Sequence, residues 1–186
     1  MSIIRWRECR ATPWKNGMGR TRELAIHPPG ASMDDFIWRV SVAEVDSASP
    51  FSAFPGIDRH IALLEGAGFT MTLDDGRVHA LTTPFAPFAF PGEAQVSVSL
   101  KNGPTRDFNL MIRRALGHGE LVIWEGPCRQ VVDDGVALIF CAQGHLDTSE
   151  GRLKAGEAWL PRRQTDRVTL DSNALALVAR VETRGN

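Results

Sequence analysis

Residues 36–68 constrain the fold most, because two alternating segments there flank a loop rich in aromatic residues and proline. The first segment has Phe36, Trp38, Val40 and Val42 on one face and Ile37, Arg39, Ser41 and Ala43 on the other. In the second segment, residues 58–64, Arg59 shares a face with Ile61 and Leu63. Such alternation predicts β-strands, so each strand carries one arginine in a largely apolar run. The pattern indicates a barrel wall beside a pocket.

Turn signals divide the first part of the chain into further short strands. Asn16-Gly17 and the turn at residues 74–76 provide residues that tolerate positive φ, which predicts a hairpin or a ligand-contacting loop at the first and a hairpin at the second. Another hairpin is predicted between residues 95–100 and 106–112. The proline-containing segment 82–92 is predicted to be a loop that leads into a short apolar strand, because proline cannot donate a backbone hydrogen bond.

The second part repeats the pattern after a polar, glycine-containing connection at residues 113–120. Short strands are predicted at 121–124, 131–132, 136–142, 152–153, 158–160, 167–170 and 174–181. Residues 143–145 are predicted to form a turn. Short strands at this spacing are typical of all-β barrels or sandwiches, and no long amphipathic helix is predicted. We expect two halves, residues 1–114 and 115–186, of which the first carries the pocket.

Composition excludes several classes of function. A hydrophobic content of 43% in 186 residues is enough for a sizeable core, while the net charge of −1 and the lack of a basic run argue against nucleic-acid binding. The longest apolar run, residues 136–142, is too short to cross a bilayer. Three widely spaced cysteines predict neither a disulfide framework nor a zinc site. A cytoplasmic protein is therefore expected.

Several motifs together resemble the HutD/Ves family. They are W-K-N-G-x-G-x-T-R-E at 14–23, F-x-W-R-x-S-x-A at 36–43, F-S-x-F-P-G-x-D-R at 51–59 and D-F-N-L-M at 107–111. The segments 64–68 and 90–92 also resemble the two cupin motifs. The resemblance implies an all-β, cupin-like β-barrel or jelly roll, with two cupin-like halves packed in one chain.

The resemblance also suggests a function. One branch of the family is associated with restraint of histidine-degradation operons, with formylglutamate and urocanate as candidate ligands, and the other branch with stress response. No enzymatic activity is established for either branch. The implied role is regulation by binding a small molecule.

Metal-binding cupins use two histidines, a glutamate and a further histidine, a donor set suited to transition ions. Aligning the chain with that pattern places Ala53, Pro55, Arg59 and Gln95 at the four positions. His60 with Asp58 falls short of a three-ligand site. We therefore expect no metal and no other cofactor.

An arginine at a metal-ligand position favours anions, because a guanidinium stays protonated and presents a fork that matches a carboxylate. The predicted ligand-binding residues are Lys15, Asn16, Gly17, Glu23, Arg39, Ser41, Ser52, Arg59, Asp107 and Asn109. Ser52 has no histidine base or nucleophile elbow, so acyl-enzyme chemistry lacks support. The expected partner is a small carboxylate; a homodimer stays open, and neither nucleic acid nor a membrane is expected.

Structural alternatives exist for the same residues. Each arginine can instead form an ion pair with Glu23, Glu44 or Asp107, and Asn16-Gly17 can be an exposed turn. Trp14, Trp38, Phe51 and Phe54 can be pocket walls or core. The pair of arginines favours a site.

Three functions follow from this pattern. The first is a non-catalytic binder that senses or buffers a carboxylate metabolite. The second is a metal-independent lyase or isomerase that acts on such an acid, with His60 or Glu23 as its base. The third is a protein-interaction module that uses the barrel as a scaffold.

Overall fold

A computed structural model describes residues 3–162 and 166–184, and their regular secondary structure consists almost wholly of β-strands. The first ten strands are β1 (Ile3–Arg5), β2 (Ala11–Pro13), β3 (Gly19–His27), β4 (Trp38–Val45), β5 (Ile57–Glu65), β6 (Phe69–Leu73), β7 (Val78–Leu81), β8 (Phe88–Pro91), β9 (Val96–Leu100) and β10 (Thr105–Arg113). The other eight are β11 (Gly117–Glu125), β12 (Cys128–Val131), β13 (Val136–Gln143), β14 (His145–Thr148), β15 (Gly151–Lys154), β16 (Glu157–Trp159), β17 (Arg167–Leu170) and β18 (Leu175–Thr183). A short 3-10 helix, Trp6–Glu8, follows β1. Within the described residues, no helix has the length and apolar character needed to span a membrane.

The strands form four sheets, arranged as two barrels. The first barrel combines a large sheet of order β2-β3-β4-β10-β5-β8 with a small sheet of order β7-β6-β9. The second barrel combines sheets of order β1-β16-β13-β18-β11 and β12-β17-β14-β15. The predicted all-β fold with two similar halves is confirmed. The boundary at residue 114 stays a prediction. β1 precedes that boundary in the sequence but belongs to the second barrel, because Ile3 to Arg5 pair with β16.

The two large sheets pack face to face and share one apolar core. Val40 and Phe108 of the first barrel belong to this central core together with Phe140 and Leu177 of the second barrel. Separate apolar clusters fill the space between the two sheets of each barrel. The barrels are therefore joined by sheet-on-sheet packing.

Strand alternation decides which side chains face the lumen of the first barrel. Trp38, Val40 and Val42 of β4 belong to the central core, whereas Arg39 and Ser41 line a cavity on the lumen side. Because the pleat reverses side-chain direction at each residue, the same strand serves both surroundings. The predicted two-faced strand is confirmed.

One predicted local structure is wrong, one predicted loop is shorter than expected, and one strand was missed. β9 and β10 do not form a hairpin: β9 pairs with β6, and β10 lies between β4 and β5. β10 is buried along most of its length, which suits a central strand. Part of the predicted loop 82–92 forms β8, where Pro91 is tolerated because β8 is an edge strand. The predicted turn at 143–145 is followed at once by β14, which the sequence analysis missed.

Candidate functional site

A cavity of about 790 Å³ lies in the first barrel, against the lumen face of its large sheet. Nine of the ten predicted ligand-binding residues line it: Lys15, Asn16, Glu23, Arg39, Ser41, Ser52, Arg59, Asp107 and Asn109. Gly17 does not line it. Gly17 instead forms the turn beside it, with φ of +70°. The sequence pattern therefore identified nine residues that lie around one cavity. Their role in binding stays a prediction.

The central strand β10 forms the middle of the cavity floor. Its inward residues pair with inward residues of β4 on one side and β5 on the other, which makes three rows across the sheet. The rows are Arg39–Met111–Arg59, Ser41–Asn109–Ile61 and Ala43–Asp107–Leu63. The two arginines therefore flank one end of the floor, and Asp107 marks the other end.

Arg59 is a buried cation with unused hydrogen-bonding capacity. Its side chain is held among Phe51, Phe54 and Phe90, with the guanidinium carbon 4.8–5.4 Å from the ring centroids. The Nη1 atom donates to the backbone oxygen of Ser52 at 3.3 Å, and Nε has no partner. Burial lowers the pKa of Arg59 to about 10, against the raising effect of Asp107, so it stays charged at neutral pH. Aromatic faces stabilise a desolvated cation by roughly 2 kcal/mol.

Asp107 is a buried acid with one free oxygen. It is 1% exposed, and Asn109 donates a hydrogen bond from Nδ2 to its Oδ1 atom. Its Oδ2 atom is buried and lacks a hydrogen-bond partner. Burial raises the pKa of Asp107 to about 7, although the Asn109 hydrogen bond and the charge of Arg59 oppose that rise. A buried oxygen without a partner costs about 1–3 kcal/mol of stability. Such an atom calls for a partner from outside the protein, which a ligand can supply.

The two arginines differ in their partners. Arg39 donates from Nε to Glu23 at 2.8 Å, so the ion pair considered as a structural alternative is present for this residue. No carboxylate in the described ranges comes within ion-pair distance of Arg59. Glu44, the other acid considered, pairs with Arg20 and Arg22 on β3. Of the two arginines, Arg59 is therefore the one without a carboxylate partner in the described ranges.

The loop before β3 forms one rim of the cavity. Asn16 donates to Ser49 Oγ at 2.6 Å and accepts from the Met18 amide, so its side chain is held within the turn. Trp14 donates from its indole to Thr21 Oγ1 at 2.8 Å. Gly19 lies directly beneath this indole, where a Cβ would approach the ring to 3.0 Å and the Glu44 carbonyl to 2.5 Å. The glycine in the motif thus lets Trp14 lie flat over β3.

Some cavity residues were missed and others were misplaced. Thr12, Thr21, Met33 and Met111 line the cavity but were not predicted. Alternation along β10 points to Met111, and Thr21 shares a strand face with Glu23, whereas Met33 carries no such signal. Trp38 belongs to the central core, where it stacks on His27 at 5.6 Å. His60, considered as a catalytic base, does not line the cavity.

The cavity is lined by three cations, Lys15, Arg39 and Arg59, and its described residues do not form a set of metal ligands. Among residues 3–162 and 166–184, no group of three His, Cys, Asp or Glu side chains is arranged to hold a metal ion. Ala53, Pro55 and Gln95, at three of the aligned metal-ligand positions, are exposed. A fixed guanidinium can instead bind a carboxylate with two hydrogen bonds.

The two barrels define a cupin-like protein with two halves in one chain. The fold resembles oxalate decarboxylase of Bacillus subtilis (TM-score 0.64, 6% identity, covering 100% of this chain and 78% of that one). The HutD family matches residues 7–185, and the chain therefore belongs to that family.

Relatives within the family cover most of the chain. HutD from Pseudomonas fluorescens SBW25, in a structure described as a formate condition, has a TM-score of 0.86 at 30% identity over 99% of both chains. An uncharacterised 21.2 kDa protein from the hutC 3′ region of Pseudomonas putida is 36% identical over 80% of this chain and 77% of its own length. Protein Ves of Escherichia fergusonii is 41% identical over 54% of this chain and 51% of its own length.

Proposed function

We propose that the chain is a non-catalytic binder of a small carboxylate metabolite, and that it senses or buffers this metabolite in histidine utilisation. The observation that carries the proposal is Arg59, a buried cation without a carboxylate partner in a cavity large enough for a metabolite. A bidentate contact with a charged carboxylate is stronger than a neutral hydrogen bond.

The metabolic assignment rests on the relatives. Two proteins that cover most of the chain have names containing hut, whereas the Ves relative matches about half of it. Formylglutamate and urocanate are therefore the first ligands to test, and histidine utilisation is preferred over stress response. Both ligands carry a carboxylate for Arg59.

The test is calorimetric titration of formylglutamate and urocanate into wild type and Arg59→Lys. A lysine ammonium cannot reproduce the guanidinium fork, so we expect affinity to fall by about tenfold or more, on the order of 1.5–3 kcal/mol. Arg77→Lys is the matched control, because Arg77 is exposed and pairs with Asp75 outside the cavity. Unchanged affinity in Arg59→Lys would remove the proposal, provided that denaturant melts show both variants folded.

One observation favours the alternative, a metal-independent lyase or isomerase. Asp107 lies in the cavity with its pKa raised by burial to about 7, which suits a general acid or base at neutral pH. Of the bases considered from the sequence, His60 does not line the cavity and Glu23 is paired with Arg39. Incubation of each ligand with the protein, followed by proton NMR, decides between binding and turnover.

A further inference from the structure

The free oxygen of Asp107 is the feature of the cavity that carboxylate binding does not explain. A ligand that consisted only of a carboxylate would satisfy Arg59 and leave Asp107 Oδ2 buried without a partner. A second anion is also a poor neighbour for an ionised acid. The missing partner of Asp107 must therefore be a hydrogen-bond donor when the acid is ionised.

The floor of the cavity separates the acid from the cation. Asp107 lies two rows from Met111, the residue that faces Arg59, and four residues along a strand span about 13 Å. The long side chain of Arg59 covers part of that distance, and the charge of Arg59 still acts on Asp107. The other charged side chains that line the cavity are Lys15, Glu23 and Arg39. A ligand that touches both ends needs two different functional groups.

We propose that Asp107 determines ligand specificity: its Oδ2 atom accepts a hydrogen bond from a nitrogen-bound hydrogen of the ligand, while Arg59 holds the ligand's carboxylate. Asn109 orients the acid for this role, because its amide occupies Oδ1 and leaves Oδ2 as the oxygen without a partner on a residue that lines the cavity. The ligand class is thus a carboxylic acid that carries an amide or azole N–H at its other end. This inference rests on the proposed carboxylate-binding function.

Two flat acids of similar shape test the inference in the wild-type protein. Urocanate has an imidazole N–H, whereas 3-(furan-2-yl)acrylate has the same acrylate and a furan ring without an N–H. At pH 8, where the raised pKa of about 7 still leaves Asp107 mostly ionised, we expect urocanate to bind about tenfold more tightly or better. Equal affinity in calorimetric titrations would overturn the inference and leave carboxylate binding intact. If neither acid binds, the inference falls, and titration of formylglutamate then decides whether the proposed function falls with it.

Asp107→Asn provides the complementary variant. Because Asn109 donates to the oxygen at Oδ1, the introduced amide would turn its own oxygen toward Asn109 and its NH₂ group into the cavity. We expect this variant to lose the preference for urocanate while it binds the furan acid within about threefold of wild type. Arg59→Lys should weaken both acids by the same factor.

The variants also separate specificity from stability. A variant that kept the urocanate preference despite Asp107→Asn would overturn the role of Asp107. If Asp107→Asn does not fold, the comparison of the two acids in wild type still decides the question, since it requires no substitution.

Discussion

The two barrels share a topology but use their interiors differently. In the first barrel the central strand β10 presents Asp107 and Asn109 to a cavity. In the second barrel the corresponding central strand, β18, presents Ala176 and Val178 to an apolar cluster that includes the fully buried Trp159. The first lumen therefore combines an apolar cluster with a cavity that polar side chains line, whereas the cluster in the second lumen is apolar throughout.

This difference shows how a duplicated architecture can divide stability from binding. Buried polar groups without partners destabilise the folded state, whereas closely packed apolar side chains stabilise it. The second barrel buries an apolar cluster, and its large sheet also covers the apolar back of the first barrel's large sheet. We infer that the second barrel supports a first barrel that is poorly stable alone.

The largest expected effect comes from removing the second barrel. A fragment of residues 1–114 would expose the central-core face that carries Val40, Phe108 and Leu110, and it would leave β1 without its partner. We expect no cooperative unfolding in a urea titration and poorly dispersed amide signals by NMR, with the full chain as the control. A fragment with a sharp transition would show that the first barrel is stable by itself.

A smaller effect is expected from the charge of Asp107. Its pKa is raised from an ordinary value of 3.8 to about 7 in the folded protein, so folding favours the protonated acid. Asp107 therefore contributes stability below about pH 4 that is lost as pH rises to about 7, on the order of a few kcal/mol. Asp107→Asn should remove this loss, and the variant should exceed wild type in unfolding free energy at pH 8.

The measurement is the difference between the two proteins in denaturant titrations at pH 5 and pH 8. The difference is needed because acids with lowered pKa values, such as Glu44, produce the opposite slope in both proteins. A difference that does not change with pH would show that Asp107 has the same pKa folded and unfolded.

The smallest effect is expected at Arg39. Its ion pair with Glu23 is partly exposed, and such pairs contribute about 0–1 kcal/mol. Arg39→Gln should therefore change the unfolding free energy by about 1 kcal/mol or less, and a double-mutant cycle with Glu23→Gln would isolate the pair. A much larger loss would show that Arg39 supports the first barrel as well as lining its cavity.

Much of the fold followed from local pattern, because alternation fixes strand faces. The faces of β4 and β10, and the turns before β3 and after β6, were predicted correctly. Strand partners were less predictable: the turn at residues 101–104 resembles a hairpin turn, but the chain crosses there from the small sheet to the large one. Pairing is decided by burial of both faces of β10, which no local turn signal records.

Much of the cavity lining could also be predicted, because a polar side chain on an otherwise apolar strand faces either the solvent or the lumen of the barrel. The sequence placed Arg59, but not Arg39, at an aligned metal-ligand position. It did not show that only Arg39 is paired, because that depends on Glu23 lying on the neighbouring strand β3 and on three phenylalanines around Arg59. The sequence also did not show that Asp107 Oδ2 lacks a hydrogen-bond partner. Hydrogen-bond partners belong to the assembled sheet rather than to the motif.

The pairing of β1 with β16 has a consequence for how the chain assembles. Arg5 and Glu157, which are joined by an ion pair at 2.9 Å, are 152 residues apart in the chain. During synthesis β1 must remain without this partner until β16 has been made. Closing so long a loop costs conformational entropy, and such distant contacts slow folding. Pairing of β1 therefore indicates that the large sheet of the second barrel has formed.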